Sequence, residues 1–321
     1  MSERVAIILA AGISSRMKTE MPKILHEVCG RSMLSYVLDA CRTVGVKKIY
    51  AVVGYGAEWV KEKFSDSSDI EFVLQAEQKG TAHAVLCSKE QLADFDGESF
   101  VICGDMPLIR SDILEALIER HESSSAAMTL ATAVLDDPSG YGRINRDSDG
   151  KLLGIVEHKD CSEEQLKIKE VNPSYYLFDN KILFETLEKV GNDNAKGEYY
   201  ITDSVEILLS QGKTVEAVTA VEPAEAMGIN SRADLSRIDK IMQDRIQQDL
   251  MADGVTIVDR ANTWIDSCAE IGKDTVIEPF TCIRGTARIG KGCRIGPFVY
   301  LNDGTVVKDG MIVGPNLAEN K

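Results

Sequence analysis

Leu9-Ala10-Ala11-Gly12, followed by Arg16-Met17 and then Pro22-Lys23, are residue types that can hold a polyphosphate. Small residues let backbone N–H groups approach a ligand closely. An arginine and a lysine at fixed distances beyond them supply the charge that phosphate oxygens need. Pro22 stiffens the backbone just before Lys23, which suits a lysine that must reach a set point. The spacing is neither Gly-x-Gly-x-x-Gly nor the Walker pattern.

Other groups could complete such a site. Gln75-Ala-Glu-Gln-Lys-Gly80-Thr81 offers an amide with both a donor and an acceptor, as a pyrimidine edge requires. The bland reading of the same run is a Gly-Thr helix start. Asp105, in Cys103-Gly104-Asp105-Met106, is a carboxylate suited to share Mg²⁺ with bound phosphates, or simply a turn aspartate. Asn230, in Gly228-Ile-Asn-Ser-Arg, is a candidate second oxygen ligand, although it or Ser231 could equally cap the helix that follows. Gly140-Tyr-Gly142-Arg, Glu157 and Asn172 combine glycine turns, a carboxylate and an amide that can hydrogen-bond sugar hydroxyls and an acetamido group. Taken alone, Glu157 in its charged run reads as a solvated face.

These residues need a frame. Apolar runs at Arg4–Leu9, Lys48–Val53, Glu71–Gln75, Ser99–Cys103 and Ala127–Val134 predict strands. Helical patterns lie near Met33–Val44, Ala57–Phe64, Thr81–Lys89 and Asp112–His121. Such alternation predicts a mostly parallel, three-layer α/β sheet over residues 1–230. Ligands bind such sheets beyond the carboxyl ends of the strands, where both Leu9–Gly12 and Cys103–Asp105 fall. Residues 231–252 read as a linker helix with Leu235, Ile238, Ile241 and Met242 along one stripe.

From residue 253 to 321 the pattern changes. Ile265, Ile271, Ile277, Ile283, Ile289, Ile295, Leu301, Val307 and Val313 recur every six residues without a slip. A period of six predicts a three-faced prism with one short strand and one inward aliphatic per face. Three coils at about 4.8 Å each make it about 14 Å tall. Its last strand leaves an open edge, for which the tail 317–321 or a partner is the candidate cap.

At 321 residues, two domains are expected. The net charge of −15 and the pI near 4.8 argue against nucleic acid or an anionic membrane surface as partner. No apolar run spans a bilayer and residues 1–20 lack the layout of a signal peptide. Cys29, Cys41, Cys87 and Cys103 lie in apolar surroundings and read as reduced core thiols, which points to a cytoplasmic protein.

The opening run resembles the signature of sugar-nucleotide pyrophosphorylases. More of the chain, residues 1–260, resembles the uridyltransferase half of the bifunctional N-acetylglucosamine-1-phosphate uridyltransferase/glucosamine-1-phosphate acetyltransferases. The matching runs are those above together with Val73-Leu-Gln-Ala-Glu-Gln, Asp137-Pro-Ser-Gly-Tyr-Gly-Arg, Gly154-Ile-Val-Glu-His-Lys-Asp, Gly197-Glu-Tyr-Tyr-Ile-Thr-Asp203 and Gly254-Val-Thr-Ile. The resemblance implies a Rossmann-like nucleotidyltransferase domain and a short left-handed β-helix. It also implies a Mg²⁺-dependent condensation of UTP with N-acetylglucosamine 1-phosphate. Leu9, Ala10, Ala11 and Gly12 would meet the nucleotide, and Gln75, Gly80 and Thr81 would complete the base site. Arg16 and Lys23 would bind the triphosphate, and Asp105 and Asn230 would hold Mg²⁺. Gly142, Glu157 and Asn172 would meet the amino sugar. Hexapeptide repeats of this kind commonly form homotrimers.

Two departures qualify what is implied. The family usually continues Thr-Gly after the counterpart of Asn172, and this chain has Pro173-Ser174. That loop flanks the sugar, so another sugar 1-phosphate is the close rival. The family's acetyltransferase half is also a longer β-helix with a catalytic histidine. Here His26, His83, His121 and His158 all precede the repeats, so no acetyltransferase activity is expected. A non-catalytic regulatory subunit joins similar domains but usually loses the cationic and metal-binding residues, which are present here. A shortened form of the bifunctional enzyme fits the same pattern.

Overall fold

In the computed structural model, residues 2–12 and 15–315 are described. Contacts divide the chain into two compact units, Met1–Leu25 with Met33–Ser231, and His26–Ser32 with Arg232–Lys321.

The first unit is built on one mixed sheet. The Arg4–Ala10 strand lies between Lys48–Val53 and Glu98–Cys103, parallel to both, and Ile70–Leu74 extends this half, also in parallel. Alternate side chains of the Arg4–Ala10 strand enter different cores. Ala6, Ile8 and Ala10 join one cluster, and Val5 and Ile7 the other. A strand buried on both faces has this consequence: it reads as an unbroken apolar run. Helices Met33–Thr43, Ala57–Lys63 and Ser111–Ser124 cover the first face. Thr81–Leu86, Asn180–Leu187 and Ser204–Ser210 cover the second, completing three layers.

The other half of the sheet runs mainly antiparallel. Tyr175–Asp179 pairs antiparallel with both Glu98–Cys103 and Met128–Val134. Glu170–Asn172, Gly142–Arg146 and Leu152–Val156 continue the antiparallel order, while Val215–Val221 joins Met128–Val134 in parallel. This half carries the candidate sugar-binding residues.

The second unit opens with a hairpin, Glu27–Val28 paired with Arg31–Ser32, although the sequence predicts this unit to lie wholly after residue 230. Its tip has Cys29 and Gly30 at positive φ, and both pack within this unit. The Cys29 N–H donates to Asp239 on the helix Arg232–Ala252, and the Cys29 carbonyl accepts from Ser267 N–H.

Ten short strands then wind into a prism with three parallel faces. Ile265 stacks on Ile283 and Leu301, and Ile271 on Ile289 and Val307, each eighteen residues or three hexads apart. The winding begins one strand earlier than the hexads, at Thr256–Ile257. Ile257 stacks on Ile277, twenty residues on, because two extra residues precede Ile265. Those two residues hide the first strand from a period-six reading. The described winding is three coils plus the first strand of a fourth, Ile312–Val313. The proposed cap at 317–321 lies outside the described residues.

The first coil leaves backbone groups of Thr263–Ile265 without a preceding coil to pair with. Two buried glutamines of the helix supply partners. Ile265 N–H donates to Gln243 Oε1 at 3.0 Å and Gln243 Nε2 donates back to the Ile265 carbonyl. Gln247 Nε2 donates to the carbonyls of Thr263, at 3.0 Å, and Arg260. The apolar stripe predicted along this helix is therefore partly amide, since Ile238 and Met242 share the buried face with Gln243 and Gln247.

Candidate active site

The carboxyl ends of Arg4–Ala10 and Glu98–Cys103 meet where the Gly104 N–H donates to the Leu9 carbonyl at 2.9 Å. Beyond this point opens a cavity of about 390 Å³. Its wall includes Leu9, Ala10, Ala11, Gly12, Lys23, Gln75, Gly80, Thr81 and Asp105, nine of the residues singled out from sequence. Arg16 is exposed on the short 3-10 turn Ser15–Met17, off the cavity wall.

Glycine is required at the turn after the Ile70–Leu74 strand. Gly80 adopts φ +115°, and a Cβ there would lie 2.4 Å from the Tyr199 carbonyl oxygen. The loop is tied down next to it. Ala82 N–H donates to that same carbonyl, and the Thr81 hydroxyl accepts from Ile201 N–H at 2.9 Å. Gln75 is buried, and its side-chain nitrogen meets the Gly80 carbonyl at 3.2 Å and His83 Nδ1 at 2.9 Å.

Asp105 and Asn230 are far apart in sequence, yet Ile229 N–H donates to the Asp105 carbonyl at 3.1 Å. This contact sets Asn230 beside Asp105. The Lys23 ammonium bridges the two side chains. It forms an ion pair with the Asp105 carboxylate and donates to Asn230 Oδ1 at 3.2 Å. The two oxygens are thus already arranged about a cation. Among the described residues no group of three or more His, Cys, Asp or Glu could cage a metal. Two oxygen ligands suit Mg²⁺, which keeps several waters and takes its remaining ligands from phosphates.

The three candidate sugar residues converge on the antiparallel half of the sheet. A Cβ on Gly142 would lie 3.0 Å from Ile155 Cγ2, 3.6 Å from Glu157 Oε1 and 3.8 Å from Asn172 Cβ, so Gly142 sits beside both polar residues and is packed most closely on Ile155. Asn172 is fixed at both ends of its amide. Its nitrogen donates to the Tyr176 hydroxyl at 2.6 Å and its oxygen accepts from Ser174 N–H at 3.0 Å. One hydrogen and one lone pair remain for a ligand. Ser174, where the related motif has glycine, sits at φ +68°. Glu157 accepts from the Thr202 hydroxyl at 3.3 Å, and burial pushes its carboxyl up. Asp203 is pushed up to about 6 by burial and by the charges of Glu206, Glu157 and Asp160. Asp160 and Glu206 crowd this corner, and Lys196 offsets them at Glu157. Gly142, Glu157 and Asn172 lie off the wall of the cavity that Lys23 lines.

Gln78, Ala84, Cys103, Ile24 and Glu198 also line the cavity. Gln78 and Cys103 lie inside runs that the sequence already marks, and Glu198 lies in Gly197-Glu-Tyr-Tyr. Their neighbours carry the chemical signal, so position within a marked run was the clue to them.

A doubly wound α/β sheet with an amide, a lysine and a paired carboxylate at its carboxyl edge defines a nucleotide-handling protein. The family model described as nucleotidyl transferase matches residues 5–265, and the chain belongs to that family. The bacterial transferase hexapeptide model of six repeats matches 268–303, in agreement with the left-handed parallel β-helix of such repeats. The chain is 48% identical over 316 residues to the "Bifunctional protein GlmU" of Geobacillus sp. (strain WCH70), covering 98% of this chain and 64% of that protein. It is also 48% identical over 285 residues to the proteins of the same name from Geobacillus thermodenitrificans and Listeria innocua, covering 89% of this chain and 62% of each. The chain therefore spans a little under two thirds of the length of these relatives. No helix among the described residues is long and apolar enough to cross a membrane.

Proposed function

We propose that the chain condenses UTP with N-acetylglucosamine 1-phosphate to give UDP-N-acetylglucosamine and pyrophosphate. The observation that carries this reading is the single cavity wall shared by Leu9–Gly12, Gln75, Gly80 and Lys23, with Asp105 beside Asn230. Similarity to proteins named as bifunctional GlmU supports it.

The sugar phosphate is already anionic near neutral pH, so it attacks the α-phosphorus without a general base. A bond forms from its oxygen to that phosphorus, and the bond to the departing pyrophosphate breaks. Positioning and charge neutralisation carry such transfers. The backbone at Leu9–Gly12 and the Gln75 amide orient the nucleoside. Arg16 and Lys23 neutralise the pyrophosphate. Gly142, Glu157 and Asn172 seat the sugar by its hydroxyls and acetamido group. Asp105 and Asn230 would hold Mg²⁺, which when bound would supply neutralising charge to the phosphates.

The remaining assignments belong to this proposal. The apolar side chains exposed on the repeats, among them stacked Phe280 and Phe298, support a homotrimer. All eight cysteines are free, which supports a reducing cytoplasmic setting. With no histidine in the repeats, these residues are proposed to lack acetyltransferase activity. The test is pyrophosphate release from UTP and Mg²⁺ with a panel of sugar 1-phosphates, alongside acetyl transfer from acetyl-CoA to glucosamine 1-phosphate. Preferred turnover of the N-acetylglucosamine substrate is expected, with no acetylation. Preference for another sugar would move the assignment to that sugar, and absence of turnover with all of them would overturn it.

A further inference from the structure

We propose that His83 is a positioning residue that selects uracil over cytosine by fixing the direction of the Gln75 amide. This deepens the uridyltransferase reading and rests on it.

Gln75 is buried at 3% exposure, on the wall of the cavity. One atom of its amide lies 3.2 Å from the Gly80 carbonyl oxygen and 2.9 Å from His83 Nδ1. A carbonyl oxygen only accepts, so the atom facing it must be the amide nitrogen. Both amide hydrogens are then spent, one on each partner. His83 Nδ1 must accept, which places the ring proton on Nε2. What Gln75 retains for a ligand is its carbonyl oxygen, an acceptor alone.

That polarity is chemically selective. Uracil carries a hydrogen on N3 and can donate it to the Gln75 oxygen. Cytosine carries a lone pair on N3 and would meet that oxygen with an acceptor. A flipped amide would invert the preference by presenting hydrogens to the base. The Gly80 carbonyl resists that flip from one side, and His83 Nδ1 resists it from the other. His83 belongs to the Thr81–Leu86 helix, whose first turn is held by the bonds from Ala82 and Ile201 to Tyr199 and Thr81. The imidazole is thereby kept in register with Gln75. His83 does not line the cavity and therefore acts through Gln75, not on the substrate.

The chemistry provides its own control. An asparagine at this position carries Oδ1 on the same Cγ that carries Nδ1 in histidine, so His83→Asn keeps an acceptor for Gln75, whereas His83→Leu removes it. Binding of UTP and CTP to the full chain is measured by calorimetry for both variants, with kcat and KM for UTP in parallel. For His83→Leu the expected result is a roughly tenfold loss of UTP-over-CTP discrimination, about the worth of one hydrogen bond. It should come as weaker UTP binding and a raised KM, with kcat little changed. His83→Asn should restore discrimination to near the parent value. Undiminished discrimination in His83→Leu, or equal damage in both variants, would overturn the role of His83 alone. Failure of the parent protein to bind UTP would overturn the uridyltransferase reading, and this inference with it.

Discussion

Lys23 makes the sharpest demand on a single side chain. Its ammonium is shared between Asp105 and Asn230, yet the proposed reaction needs it on phosphate. Lys23→Ala should therefore lower kcat/KM by about 10²–10³, as loss of a preorganised electrostatic donor does, with circular dichroism unchanged; a near-normal rate would remove Lys23 from the site. Asp203 makes a different demand. Its carboxyl, pushed up from 3.8 to about 6, binds a proton more tightly folded than unfolded. Its contribution to stability is present below about pH 4 and lost as pH rises to about 6. Asp203→Asn should be more stable than the parent at pH 7–8 and no different at pH 4 or below, as read by urea denaturation at both values. At this scale the sequence was most legible where residue type and spacing coincide with backbone need. Leu9–Gly12 and Gly80 fall on one wall because each lies at or soon after the carboxyl end of a strand. The bridge from Lys23 to Asn230 was not legible, since no local spacing relates residues 207 apart.

Elements were legible where burial is symmetric. Lys48–Val53 is the predicted strand residue for residue, because both faces are covered and every position is apolar or aromatic after its lysine. The hexads were legible because one inward aliphatic per face is the only repeat the prism allows. The first strand, Thr256–Ile257, was hidden by two extra residues. The antiparallel half was hidden because pairing direction leaves no mark on short apolar runs. The role of the Arg232–Ala252 helix was also missed, since buried glutamines read as solvent-facing polar residues. Gln243→Leu would leave the backbone N–H and C=O of Ile265 without partners, at about 1–3 kcal/mol for each group. The second unit should then exchange its Thr263–Ile265 amide hydrogens at least tenfold faster while the first unit is unaffected; unchanged exchange would mean the glutamine does not seal the coil.

The chain carries a net charge of −15 and its proposed substrates are anionic, so on this reading binding depends on a local arrangement of cations rather than on the overall field. The repeats present Tyr300, Val306 and Ile312 more than 60% exposed on their outer strands. Light scattering should give three times the 35.2 kDa chain mass, and a monomer mass would reject the trimer. The two departures from the related pattern also belong here. Pro173-Ser174 bears on which sugar is chosen, and the histidine-free repeats carry the proposal that acetyl transfer is lacking. The most direct test is a crystal structure with UTP and Mg²⁺ bound. The uracil should lie between Leu9–Gly12 and Gln75, with N3 on the Gln75 oxygen, and the phosphates should draw Lys23 away from Asp105. A nucleotide bound elsewhere, or one seated in the cavity with its phosphates turned away from Lys23, would contradict the account.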